Sequence, residues 1–158
     1  MIFSYSKWNN ATEMRQYVSV AASTTFETLE APLRNAFEKY IRRLLGDTLT
    51  ANLIEYYGAE TTTDKQNRFV QLAQAANAFL AFWSEYDEMQ LQIDDSGSHR
   101  QESDGQKTPY KYQEQQLRAS WRNKGFNALD DMLEFLEKND TDCPNFKTSE
   151  NFTVSKKE

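Results

Sequence analysis

His99 is the only histidine in the chain, with Ser96 and Asp94 just before it. A hydroxyl, an imidazole and a carboxylate so close together suggest nucleophilic catalysis. A working triad also needs a rigid scaffold and donors aimed at the developing oxyanion. The surrounding run from Gln92 to Lys107 is polar and rich in turn formers, and offers neither. Asp94-Asp95-Ser96-Gly97 also holds oxygen ligands and a glycine. A calcium loop closes with a glutamate at its twelfth position. Counted from Asp94 or Asp95, that place falls on Gly105 or Gln106, so a solvated turn is expected.

The other chemistries fail on composition or spacing. Zinc sites want several Cys or His, and the chain has one of each. Gly46 stands alone in Leu44-Leu45-Gly46-Asp47, which reads as a helix end rather than a phosphate cradle. Asp130 and Asp131 are adjacent, so on a helix they point about 100° apart and do not converge. Cys143 lies beside Pro144 in a polar tail and has no partner for an internal disulfide. No enzymatic activity, cofactor, metal or small-molecule substrate is expected.

Four groups remain as contact residues. Arg118 and Arg122 lie one helical turn apart beside Trp121, a pattern that grips an acidic partner or stacks on a base; a flank beside a buried Trp fits equally. The net charge of −6 disfavours specific nucleic-acid binding. Tyr110 and Tyr112 follow the polar run and suit interface anchors or core. Phe152 and Val154 flank Thr153 in a segment that can pair as a strand when offered an edge. The polar run itself contributes Asp95, His99 and Arg100.

These residues need elements to position them. The chain has 158 residues, 13% of them aromatic, which is enough to fill the interior of one domain. Five Gly and three Pro are too few for a turn-rich β fold, so the expectation is an all-α bundle of three to four main helices. Residues 1–28 read as an extended arm, with a turn near residues 10–16 and a short strand at Tyr17-Val18-Ser19-Val20. Pro32 marks the first helix start, with Leu33, Phe37, Tyr40 and Leu44 on one face and Gly46 as its stop. Asp47 opens a second helix that ends at Gly58. Thr63 and Gln66 form a capping box for a long third helix to about residue 91. Its stripe is Phe69, Leu72, Ala76, Phe79, Trp83 and Tyr86. A long polar loop spans 92–107. Thr108 and Pro109 open a fourth helix to about Asn139, with Leu117, Trp121, Gly125, Ala128, Met132 and Phe135 on one side. Gly125 there either kinks the helix or admits a neighbour. One helical domain thus covers 1–139, and 140–158 form a flexible or partner-ordered tail. No signal peptide and no membrane span are read from the sequence.

The order of parts carries a resemblance. Leu29-Glu30-Ala31-Pro32-Leu33 precedes Ala36-Phe37-Glu38-Lys39-Tyr40-Ile41-Arg42-Arg43-Leu44-Leu45-Gly46. An alanine-rich helix, Asp94-Asp95-Ser96-Gly97, Thr108-Pro109-Tyr110-Lys111-Tyr112-Gln113-Glu114 and Ala128-Leu129-Asp130-Asp131-Met132-Leu133-Glu134-Phe135-Leu136 follow. Over about residues 17–139 this resembles uncharacterised structural proteins of phages and prophages from Bacteroides-like hosts. More loosely, it resembles the helical head–tail connector (adaptor) proteins of tailed phages. The resemblance implies a virion neck protein, assembled in the host cytoplasm as a ring of identical copies between portal and tail. Its partners would be portal, tail or stopper proteins and neighbouring copies, and segments 92–107 and 140–158 would be the binding parts. The other reading is a small helical interaction module with a regulatory or scaffolding role.

Overall fold

The computed structural model describes residues 1–4, 12–19, 26–89, 91–94, 97–100 and 111–139. It is an all-α bundle with one small hairpin. Helix α1 is Thr12–Arg15, α2 is Phe26–Ala36, and a π-helical segment Phe37–Arg42 leads into α3, Arg43–Gly58. Helix α4 is Asp64–Ser84 and α5 is the single turn Tyr86–Met89. Strands β1 (Leu91–Asp94) and β2 (Gly97–Arg100) precede α6, Lys111–Lys138.

Helix α4 is the central rod. Helix α6 lies along it, and α2, the π segment and α3 also pack on it. The expected capping box starts α4: Thr63 Oγ1 accepts from Gln66 N–H at 3.2 Å, and Gln66 Oε1 accepts from Thr63 N–H at 2.9 Å. Phe69, Leu72, Ala73, Ala76 and Leu80 are buried along its length. The helix stops at Ser84, short of the expected end. There Ser84 Oγ donates to Glu85 Oε1 at 3.1 Å, and Glu85 leaves helical geometry (φ −109°, ψ 16°). A local side-chain bond of this kind competes with continuing the helix.

Helix α2 begins at Phe26, earlier than Pro32 suggested. Phe26, Leu29, Pro32, Leu33 and Ala36 form one buried face. An interior proline costs about 3 kcal/mol. Burying a Phe and a Leu returns about 1.5–3 kcal/mol each, so the longer helix wins. Glu30–Arg34 and Glu38–Arg42 pair on the wet side. At Gly46 the chain breaks helical geometry with φ 74° and ψ 172°. Nothing lies within 4 Å of where a Cβ would stand, so the positive φ, not crowding, calls for glycine. Arg42 Nε donates to Asp47 Oδ1 at 2.9 Å across the break.

Two further expectations are corrected. The N-terminal segment is drawn onto the core: Ile2, Phe3, Met14 and Val18 are at most 4% exposed. Tyr17 and Val18 N–H both donate to the Met14 carbonyl, so residues 17–19 close α1 instead of forming a strand. The described part of 92–107 is not loop but an antiparallel hairpin, pairing Leu91 with Arg100, Gln92 with His99, Ile93 with Ser98 and Asp94 with Gly97. Leu91 and Ile93 alternate with polar residues ahead of a turn-forming pair, which is the short-range hairpin pattern. The tail 140–158 lies outside the described residues.

Replacing Gly46 with Ala should lower unfolding free energy by about 1–2 kcal/mol, the cost of a left-handed residue with a Cβ. Urea titration followed by circular dichroism measures it; an unchanged midpoint would show that the break does not need glycine.

Candidate interaction surface

The close approach of α4 and α6 sets the local geometry. A Cβ on Gly125 would sit 2.7 Å from Leu80 Cγ and Cδ2, so the missing side chain is what admits the neighbour. Helix α6 runs unbroken through Gly125, which decides between the two roles expected for it. Ala128, Leu129, Met132, Leu133 and Leu136 carry the contact toward its C-terminal end.

Aromatic side chains flank this seam. Trp121 packs edge-on against Phe82 (centroids 5.4 Å, 68°) and beside Tyr86 (5.6 Å). Arg118 Cζ stands 5.5 Å over the Tyr86 ring, and its Nη1 donates to both Asp87 oxygens at 3.3 Å. A second cluster joins Phe126 to Trp83 (5.7 Å) and Tyr40 (6.4 Å), with Tyr40 and Trp83 6.1 Å apart. T-shaped pairs add about 0.5–1.5 kcal/mol beyond burial. They also leave outer ring faces to solvent: Phe126 is 42% exposed, Tyr112 57% and Leu117 45%. Ile54 on α3 is 40% exposed.

Of the residues predicted to make contacts, Tyr112 is thus exposed rather than core. Arg122 is exposed, whereas the charge of Arg118 is already engaged by Asp87 and Tyr86. His99 and Arg100 lie on β2, away from this surface in sequence and paired in register with Gln92 and Leu91. Asp95, Tyr110, Phe152 and Val154 fall outside the described residues. Leu117, read as part of the buried side of its helix, sits at the edge of the contact and is exposed. Phe126 was missed. Its signal is spacing: Tyr112, Ala119 and Phe126 recur every seven residues.

A polar clamp holds the N-terminal segment. Gln74, 5% exposed on α4, donates from Nε2 to the Ile2 carbonyl at 2.8 Å and to Glu13 Oε1 at 2.7 Å. Its Oε1 accepts from Tyr17 OH at 3.1 Å. Tyr57 OH donates to Glu13 Oε2 at 3.2 Å, so Ser4 Oγ, also 3.2 Å away, donates to the Tyr57 oxygen. Burial first, and the Glu13 carboxylate besides, push both the Tyr17 and Tyr57 hydroxyls up to about 12. Beside the clamp lies a polar groove of about 250 Å³ bounded by Glu13, Tyr56, Thr62 and Asn67. A wider one of about 470 Å³ runs between α4 and α6, with Leu72 and Phe79 as floor and Arg68, Lys124 and Asp131 at its rim. Among the described residues, no group of three or more His, Cys, Asp or Glu is placed to hold a metal ion. Nor is any described helix long and apolar enough to cross a membrane.

Fold and surface together define a helical bundle with solvent-facing apolar edges. Residues 20–156 match the model of the Family of unknown function (DUF6712), and the chain belongs to that family. No curated protein and no solved structure matches it.

The clamp predicts a pH dependence. Both tyrosines have raised folded-state values, so their contribution is present below the ordinary value of 10 and is lost as pH climbs through about 12. The thermal midpoint should fall across that window, and the Tyr17→Phe/Tyr57→Phe double variant should fall less. Equal slopes for the two proteins would contradict the assignment.

Proposed function

We propose that the chain is a virion structural protein of a tailed phage, a head–tail connector that forms a ring between portal and tail. It acts by packing against portal, tail or stopper proteins and against copies of itself, and carries out no catalysis. The resemblance over residues 17–139 supports this reading. The observation that carries it is the presence of exposed apolar side chains on two separate helices: Ile54 on α3, and Tyr112, Leu117 and Phe126 on α6. A ring built head to tail needs two different faces on each subunit, because its interfaces are not self-complementary. A bundle that buries Phe3, Phe37 and Phe69 almost completely has no shortage of core, so apolar side chains left outside are available for partners.

Mass spectrometry of purified phage particles from a host carrying this gene tests the proposal. Peptides of the chain should be present in fixed ratio to the portal protein. Particles that contain portal and tail proteins but lack this chain would overturn the neck role and leave the helical interaction module.

A further inference from the structure

We infer that the two faces of the ring interface are the Asp47–Gly58 face of α3 on one copy and the Tyr112–Phe126 face of α6 on the next. This rests on the connector reading and goes beyond it by naming the surfaces that meet.

On α6, Tyr112, Gln115, Ala119, Arg122 and Phe126 are all exposed. Their spacing of three, four, three and four places them on one side of the helix, as in the seam of a coiled coil. The stripe runs about 21 Å at 1.5 Å per residue. On α3, beyond the Gly46 break, Asp47, Ala51, Ile54 and Gly58 are likewise exposed. They are spaced four, three and four apart and run about 16 Å. Both stripes lie outside the internal packing: α6 is seated on α4, and α3 packs against the π segment and α4. Neither stripe therefore has to be uncovered before it is used.

Shape and charge both match. Ile54 projects between Ala51 and Gly58; Ala119 is the low point between the Tyr112 and Phe126 rings. Ile54 set opposite Ala119 lets the two rings straddle it, knob into hole. From Leu44 to Thr61 the chain carries Asp47, Glu55 and Glu60 and no lysine or arginine. From Lys111 to Phe126 it carries Lys111, Arg118, Arg122 and Lys124 against Glu114 alone. Glu55 and Arg122 are both exposed and make no ion pair among the described residues. Opposite charges across an interface fix its register and suppress wrong partners. Two acidic α3 faces or two basic α6 faces would repel, so the pairing is head to tail and leaves each copy with one face of each kind for the next.

Disulfide trapping in the full-length chain tests this. In a Cys143→Ser background, Ile54→Cys and Ala119→Cys are combined in one chain, which is concentrated and oxidised. A ladder of dimer, trimer and higher species is expected, at least about tenfold above that from Arg43→Cys with Glu137→Cys, because a disulfide needs Cβ atoms within about 4.5 Å. Adding Arg122→Glu should cut the ladder about tenfold through like-charge repulsion, and Glu55→Lys in the same chain should restore it. A yield no greater than the control pair's overturns the interface, as does a ladder indifferent to the charge reversals. The particle composition decides the neck role separately. A chain found in particles that gives no ladder keeps the neck and discards these surfaces. A charge-dependent ladder from a chain absent from particles keeps the surfaces and discards the neck.

Discussion

The approach of α6 to α4 at Gly125 and Leu80 is the contact on which the rest of the molecule depends. A glycine facing a fully buried leucine lets the two longest helices lie close, and alanines at 73 and 76 keep the profile of α4 low beside it. With the backbones so near, large side chains cannot fit in the seam and are displaced to its edges. Trp121 goes to one side against Phe82 and Tyr86, and Phe126 to the other against Trp83 and Tyr40. The exposed apolar edges of α6 are thus a consequence of tight packing at its centre. Surface and core are two results of one steric fact.

The opposite side of α4 shows a different solution. There the helix meets a segment with little regular structure of its own, whose main-chain groups need partners. Gln74 supplies them from within the core, bonding the Ile2 carbonyl and the Glu13 carboxylate from one amide nitrogen. Tyr17 and Tyr57 close the network. Apolar burial of Ile2, Phe3 and Met14 provides the driving force, and the polar clamp selects one placement among many that would bury the same area.

Features with a strong local cause were legible in the sequence. Thr63 with Gln66, the stripe from Phe69 to Leu80 and the break at Gly46 each rest on chemistry within a few residues, and each stands where the pattern placed it. The misses have tertiary causes. Pro32 marks no helix start, because Phe26 and Leu29 find a core that offsets the proline. Leu117 shares the helical side of Gly125 and Ala128 but sits where only an edge of α6 meets α4, so it is exposed. Ile2 and Phe3 read as part of an arm because nothing local reveals the groove that takes them. The hairpin was visible in the alternation of Leu91 and Ile93, but polarity and turn residues dominated the reading of that segment. The contact surface was half legible: Tyr112 and Arg122 stood out by type, whereas Phe126 is meaningful only once α6 has a buried face to measure from.

The central claim is that Gly125 and Leu80 face each other across the seam. A double-mutant cycle between them tests it most directly, using Gly125→Ala, Leu80→Ala and the pair, with unfolding free energies from urea titration. The added Cβ clashes with the leucine side chain in the first variant and finds space in the double, so the two changes should couple favourably by about 1–2 kcal/mol. Free energies that add to within about 0.5 kcal/mol would place the two residues apart and contradict the packing described.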